Sequence, residues 1–598
     1  MCGIVGIRRF DGRPVEADLL RAMADRLAHR GPDDSGVWVD GSVGFGHRRL
    51  AIIDPTAGHQ PMASADGRLH VTFNGEIFNY ASLRSSCAYP YRTGGDTEVL
   101  LALHERHGAA AVEQLQGQFA YALFDGTDLW LHRDRLGVLP LYYVVTDDFL
   151  AFASEIKGLL PALPERPEVD LDSLDSYLSI RAVAAPFTLL KGVRKLLPGH
   201  RLQVGPTGDL RFERYWRVPD DPPRPLSDAD AVDAVERGLV AAVRRSLVAD
   251  VEVGSLLSGG VDSSLVVALA SNERAGEPIA TFAAGFGDPR YDELPYARRV
   301  SEQFGTRHHE VVLDPEGFEQ EWRRLTWHRD APLSEPADIA VNALARKASD
   351  HVKVLLSGEG SDELFAGYPK YRLARWGRSA DLVPALVRTP ALGWAEQALP
   401  AGAGRGRVAL RALAAPSETE RIATWFAAFT GPERRRLLGP APARSMADVG
   451  VADRDPVRRM LAHDRGGWLA DNLLERGDRM AMAASIELAA SLPSDVLVRG
   501  RQTKWVLKEV ARRHLPNEIV DRPKVGFRVP LDAWFRGHLR DLARDSLLAS
   551  DSFVGSVMDR RAVSELLDVH DAGRRDESVR IWTLLALEQW HDVLVHDG

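Results

Sequence analysis

The first residue able to do chemistry stands second in the chain. Cys2 follows Met1, and a small second residue favours removal of the methionine. The freed α-amine has an ordinary pKa of about 8, so it is partly neutral near pH 7. It can then take the thiol proton within its own residue, leaving the thiolate, a strong nucleophile. Taken alone, Cys2 reads equally well as a small apolar residue opening a strand that Ile4, Val5 and Ile7 continue. A thiol that hydrolyses the side-chain amide of an amino acid needs three more groups: an oxyanion hole, a cation for the substrate carboxylate and an anion for its ammonium. Asn74 and Gly75 in FNGEIFNY offer a side-chain amide and a backbone N–H, Arg49 in GHRRLAIID offers the cation, and Asp96 in RTGGDTEVL offers the anion just before a helix.

A second constellation is the run SLLSGGVDSSLVVALA, a strand, a glycine turn and a helix start. Glycines let backbone N–H groups approach phosphate oxygens, and a helix N-terminus favours anions. Ser258, Ser263 and Ser264 add hydroxyl donors, while the spacing and the missing Lys-Ser/Thr pair exclude a P-loop. A similar strand and loop, VLLSGEGSDELFAGY, follows about a hundred residues on (Ser357 against Ser258). Lysine is scarce beside arginine, yet Lys504, Lys508 and Lys524 follow closely in TKWVLKEV and RPKVGF. The i,i+4 spacing of the first two also suits a solvated helix face.

In order, MCGIVGI, HRGPDD, HRRLAIID, FNGEIFNY, GGDTE and FASEIKGLL resemble the N-terminal-nucleophile glutaminase domain of asparagine synthetases. The resemblance implies Cys2 as nucleophile and Asn74 and Gly75 as oxyanion hole. It also implies Arg49, Ala51, Ile52, Ile53, Asn74, Gly75, Glu76 and Asp96 around bound glutamine. SGGVDSS resembles the pyrophosphate loop of ATP pyrophosphatases, which split ATP into AMP and pyrophosphate, and SGEGSDE resembles the matching loop of the synthetase domain. This implies ATP and pyrophosphate against Leu256, Ser258, Gly259, Gly260, Asp262, Ser263, Ser264, Ser357, Gly358 and Lys504, with Glu359 and Lys504 serving the acyl-adenylate step. Mg²⁺ is implied at Asp262 and Asp362, and the acceptor at Glu359, Asp362 and Glu487. Lys524 lies in the family-like stretch RPKVGFRVPLDAWF.

The pattern is broken at a few places. Leu139 stands where the family usually has Lys. LLERGDRMAMAASIE continues as LAASLPSD after Glu487, with Ala489 in place of the usual Arg. Ala331 follows Asp330 in HRDAPLSEPADIAV, away from the common Asp-Glu-Pro pattern. The last two departures fall in the half that receives the acceptor. A small dianion such as aspartate wants compensating cations, so the expectations are asparagine synthesis from L-aspartate or the same chemistry on a larger, less charged carboxylate. A non-catalytic glutamine or nucleotide binder is the reading from another class, opposed by the complete Cys2, SGGVDSS and SGEGSDE motifs.

These residues need elements to position them. Runs such as GVWVD, LHVTFNGE, QFAYALFD and PLYYVV alternate as half-buried strands, with helices expected in ADLLRAMADRLAHR and TEVLLALHERHG. The apolar runs VEVGSLL, IATFAAGF and HVKVLLS, each followed by a loop and helix, predict a parallel sheet. Two domains are expected: an α+β layered N-terminal-nucleophile glutaminase fold over 1–205, a Pro/Asp linker over 206–230, and an α/β parallel-sheet ATP-pyrophosphatase fold with added helices over 231–598. Ser227 and Asp230 predict a capped helix with Val232, Val235, Leu239 and Val243 on its apolar face. The helical stretch 370–460 carries no readable motif, and its scattered Trp376 and Trp394 read as core.

Bulk properties agree with this. The net charge of −9 argues against nucleic-acid or anionic-membrane binding. Two cysteines, Cys2 and Cys87, exclude a disulfide framework or a zinc site of the usual four-ligand kind and suit a reducing cytoplasm. No secretory signal or apolar run long enough to span a membrane is present. The expected partners are glutamine, ATP and a carboxylate acceptor, with a homodimer left open.

Overall fold

The computed structural model describes all residues except 220–224, 275, 286–291, 314–317, 401–402, 440–454, 477, 479–485, 523–528 and 597–598. The alternating runs of the first 214 residues form strands β1 (Gly3–Arg9), β2 (Asp34–Asp40), β3 (Val43–Arg49), β4 (Met62–Ala63), β5 (His70–Ile77), β6 (Gly117–Phe124), β7 (Leu129–Arg133), β8 (Tyr142–Val145), β9 (Phe149–Ala153), β10 (Arg194–Lys195), β11 (His200–Val204) and β12 (Leu210–Arg214). They make two six-stranded sheets, ordered β10-β8-β9-β1-β3-β2 and β12-β11-β7-β6-β5-β4. The pairings are antiparallel throughout.

Successive side chains of a strand point to opposite faces, and both faces of these sheets are used. Ile4, Val43 and Phe45 of the first sheet meet Ala120, Ala122, Leu131 and Leu202 of the second in one core. On the outer faces, Val5 and Ile7 pack on Leu20, Met23 and Ala24 of helix Ala17–Asp25. Val71, Phe73 and Tyr121 pack with Val99, Leu100 and Leu103 of helix Thr97–His107. The result is the layered α+β arrangement that the alternation predicts.

In the second half, β13 (Val253–Leu256), β14 (Ala280–Gly285), β15 (Arg307–Val312) and β16 (Val354–Leu356) pair in parallel in the order β15-β14-β13-β16. Three of these are the apolar runs read from the sequence. β15, RHHEVV, escaped that reading because it is a half-exposed edge strand without an apolar run. Strand order reverses at β13, so the crevice for a ligand opens beyond the carboxyl ends of β13 and β16. Helix Asp228–Ser246 starts where expected: Ser227 Oγ accepts from Asp230 N at 3.2 Å, and Val232, Val235, Leu239 and Val243 are buried.

The segment after residue 369 is mostly helical among the described residues. Its Trp376 and Trp394 are not core, however, with 66% and 75% of their surface exposed. Single tryptophans at wide spacing do not mark a buried stripe unless their neighbours at helical spacing also meet a partner element. The two halves share one apolar cluster: Leu174, Tyr177 and Leu178 pack with Trp322, Phe429 and Trp582, and the last two tryptophans stack at 4.0 Å. Among the described residues no helix is long and apolar enough to cross a membrane.

Candidate active sites

The start of β1, the end of β3, the middle of β5 and the N-terminus of helix Thr97–His107 converge on one cavity of about 450 Å³. Cys2, Arg49, Ile52, Ile53, Gly75, Glu76 and Asp96 line it. The register explains the convergence: β1 pairs with β3, placing Gly3 opposite Arg48, so Cys2 and Leu50 become neighbours. Leu50 N donates to Cys2 Sγ at 3.4 Å, and the thiol faces Leu50 O at 3.7 Å. With Met1 in place, burial pushes the Cys2 thiol above its ordinary pKa, outweighing the Met1 amine, the Leu50 amide, Arg49 and Arg30. The thiol therefore stays protonated until a base takes its proton.

Gly75 is required by its surroundings, since a Cβ there would lie 2.3 Å from Gln118 O. Asn74 is wholly buried, and neither its Oδ1 nor its Nδ2 has a hydrogen-bond partner among the described residues. An amide left unpaired in the interior is costly, so such a group points to a ligand. Glu76 and Asp96 form an acidic pair. Burial, then the charge of Asp96, raises Glu76 to about 8, and burial raises Asp96 to about 6 although Ile77 N donates to its Oδ2 at 3.0 Å. Arg49 lines the cavity while gripping its rim, with Nη1 on Pro55 O at 3.0 Å and Nη2 on Ile53 O and Asp54 O at 3.1 and 2.7 Å.

Other cavity groups were not singled out from the sequence. Asp33 Oδ2 accepts from Ala51 N at 2.9 Å and from Lys353 Nζ at 2.7 Å, which ties the glutamine-side loop to the second half. Outside the cavity lining, Asp250 ties the same loop, accepting from Asp54 N at 2.9 Å. Val352, Val354, Leu355 and Leu356, at the entry to SGEGSDE, form the far wall. Asp33 lies in HRGPDD, but its partners come from distant segments and leave no local signal.

The second constellation assembles at the ends of β13 and β16. Gly259 has φ +69°, and a Cβ there would lie 2.5 Å from the Tyr296 side chain. Ser263 Oγ lies 3.1 Å from the Ser258 amide and 3.0 Å from its Oγ, drawing the loop onto helix Val261–Glu273. Ser264 is buried at that helix start. Gly358 packs against Asp262, where a Cβ would lie 3.0 Å from Asp262 Cβ, and Ser361 Oγ donates to Asp262 Oδ1 at 2.8 Å, so the two loops touch. Lys504 reaches between them, with Nζ at 2.6 Å from Asp262 Oδ1 and 2.9 Å from Asp362 Oδ1. Burial opposes its charge, but the two carboxylates outweigh burial and raise its pKa. Glu359 takes a hydrogen bond from Arg476 Nη2 at 2.7 Å, an arginine the sequence reading left without a role. Leu256 closes β13, and Ser357 Oγ accepts from Glu359 N at 3.3 Å. Lys508 lies one helical turn past Lys504, and burial lowers its pKa. Lys524 and the Glu487 side chain lie outside the described residues.

A glutamine amidotransferase domain model matches residues 1–216, and an asparagine synthase model matches residues 234–592. The glutamine-hydrolyzing asparagine synthetase 1 of Bacillus subtilis (strain 168) is 32% identical over 99% of this chain and 97% of its own length. A putative glutamine-hydrolyzing asparagine synthetase of Mycobacterium tuberculosis (strain ATCC 25618 / H37Rv) is 34% identical over 100% of this chain and 97% of its own. The chain belongs to the asparagine synthetase family. An amidase, chry2, of Gibberella zeae is also 34% identical, over 60% of this chain and 57% of its own length.

Against the asparagine synthetase pattern, the departures now have locations. Leu139 is fully buried, its N–H donating to Asp134 Oδ2 at 3.0 Å and its carbonyl accepting from Arg133 Nε at 2.8 Å. Ala489 packs in the apolar cluster with Val457, Leu461 and Leu492. Beside it, Arg458 Nη1 donates to Ala490 O and Leu492 O at 2.9 and 3.1 Å. Asp330, before Ala331, is buried against Lys157 Nζ at 3.0 Å.

Proposed function

We propose that this asparagine synthetase family enzyme joins two half-reactions across its two halves, with the boundary in the 206–230 linker. Cys2, its amine freed by loss of Met1, attacks the glutamine amide carbon. The thiol proton passes to the α-amine and on to the departing ammonia, and water then releases glutamate from the thioester. A raised thiol pKa fits this order, because the proton leaves during attack and not before. Asn74 and Gly75 receive the oxyanion, Arg49 with the 51–53 backbone frames the carboxylate end, and Glu76 and Asp96 receive the ammonium.

In the second half a carboxylate oxygen of the acceptor attacks the α-phosphorus of ATP, and the bond to pyrophosphate breaks. Ammonia then attacks the acyl carbon and AMP leaves. The 258–264 loop with Ser357 and Gly358 cradles the phosphates, Lys504 neutralises charge on the leaving pyrophosphate, and Glu359 with Asp362 faces the acceptor, a role the family resemblance extends to Glu487. No three-residue metal cluster occurs among the described residues, yet Asp262 and Asp362 converge on one cation within 2.9 Å. These two carboxylates would hold Mg²⁺, which when bound would neutralise phosphate charge.

The observation that carries this reading is the shared cavity: the Cys2 site opens against the strand that delivers Ser357 and Glu359. A second cavity of about 100 Å³ shares Arg30 and Ala345 with the first and is also lined by Arg476, the partner of Glu359, which supports passage of ammonia sheltered from water. L-Aspartate is the proposed acceptor. The amidase-named relative at equal identity favours, as second reading, the same chemistry on another carboxylate. Measuring pyrophosphate release from wild type and Cys2→Ala over a panel of carboxylic acids tests both. Cys2→Ala should lose glutamine-dependent amide formation and keep the ammonia-dependent reaction. Joint loss in a folded protein would sink the two-site reading, and turnover of another acid but not L-aspartate would select the second one.

A further inference from the structure

Arg30 comes from the HRGPDD segment, and its side chain is buried between the halves. Its Nε donates to the carbonyl oxygen of Cys2 at 2.9 Å. Its Nη1 reaches Glu155 Oε1 at 2.7 Å and Asp478 Oδ2 at 2.6 Å. Asp478 stands two residues past Arg476, which holds Glu359. Arg30, Arg476 and Asp478 line the same cavity of about 100 Å³. Glu155 anchors Arg30 on the glutamine side, because it also pairs with Lys157 and with His29 Nε2, the latter at 2.9 Å. Arg30 Nη2 and Asp478 Oδ1 are buried without a hydrogen-bond partner among the described residues. The bridge is therefore made through one edge of each group.

We infer that the Arg30–Asp478 pair is a coupling bridge through which the state of the Glu359 loop sets the position of Cys2. The inference rests on the two-site function proposed above and makes Arg30 and Asp478 positioning residues. Separating a buried ion pair strands two charges away from water, so the pair does not yield by small steps. Movement of Arg476 and Asp478 when an adenylate forms against Glu359 either draws Arg30 and the Cys2 main chain along or breaks the bridge. Either way the thiol is placed differently in the loaded and empty states. A misplacement of about 1 Å is enough to change a rate by about a hundredfold. Glutamine hydrolysis is in this way paced by the acceptor side, which limits wasted ammonia.

The test measures glutamate and pyrophosphate release by the full chain, wild type and Asp478→Asn, at saturating glutamine. Three conditions are compared: no addition, Mg-ATP alone, and Mg-ATP with L-aspartate. In the wild type one of the two additions should raise glutamate release by about fivefold or more, the low end of ordinary couplings. Asp478→Asn should lose that rise while keeping basal glutamine hydrolysis and ammonia-dependent pyrophosphate release, and Asp478→Glu should restore part of it. Equal stimulation in both proteins, or none in the wild type, overturns the bridge. Absence of both basal activities in the wild type overturns the function proposed above instead. Should Asp478→Asn fail to fold, Glu155→Gln loosens Arg30 from the other side and must show the same loss of stimulation.

Discussion

At Cys2 the environment, not the residue type, carries the argument. A buried thiol with a raised pKa is inert unless a base stands beside it, and the α-amine is the base an N-terminal cysteine brings with it. The acidic pair makes a sharper statement. With Asp96 near 6 and Glu76 near 8, both carboxyls are largely protonated at pH 5.5 and largely ionised above pH 8. Only the ionised forms attract the glutamine ammonium. The KM for glutamine should therefore fall as pH rises from 5.5 to 8.5, by at most roughly tenfold per pH unit for each linked proton. Steady-state glutaminase kinetics across that range provide the check, and a KM that is flat or rises removes the pair from ammonium binding. Cys2, Arg49, Asn74, Gly75 and Asp96 were legible because they sit in short motifs. Arg30 and Arg476 were not, since an arginine reads as surface charge until its buried carboxylate partner is known.

Among the elements, the turn after β13 is the most constrained. Gly259 combines a positive φ with a Tyr296 side chain too close for any Cβ. Gly259→Ala must distort the loop by about 1–3 kcal/mol of strain. Pyrophosphate release should drop by about ten- to a hundredfold while glutamine hydrolysis persists, and paired assays on one preparation would show it. A parallel loss of both activities would mean that the loop supports the whole fold. The elements themselves were readable wherever one physical period dominated: alternation in β2, β5, β6 and β8, continuous apolar runs in β13, β14 and β16, and the capped amphipathic helix after Ser227. The edge strand β15 and the exposed Trp376 and Trp394 defeated that reading, because exposure depends on whether another element covers a face.

Over the whole molecule, the two halves are not beads on a linker. Tyr177 OH donates to Thr583 O at 2.8 Å, and Trp322 and Trp582 stack in a cluster that includes Leu174 and Leu178. Splitting the halves would expose that cluster to water, at about 25 cal/mol for each Å². Glutamine hydrolysis and ammonia-dependent pyrophosphate release should therefore be lost at the same urea midpoint, in one cooperative transition. Two well-separated midpoints would show that the halves unfold alone.

The division of labour between sequence and structure follows from range. By itself the sequence determined the layered and parallel-sheet architectures and the family, and it singled out Cys2 and the two Ser-Gly turns as candidates. Each of these is written in local periodicity or in a motif whose geometry is closed within a few residues. Tertiary structure decided what stands between the sites: the cavity shared by Cys2 and β16, Lys504 held between Asp262 and Asp362, the burial of Ala489 in the core, and the Arg30–Asp478 pair that spans 448 residues of chain. Charges so far apart in sequence are brought together only by the packing of complete layers, and their low-dielectric surroundings exist only after that packing.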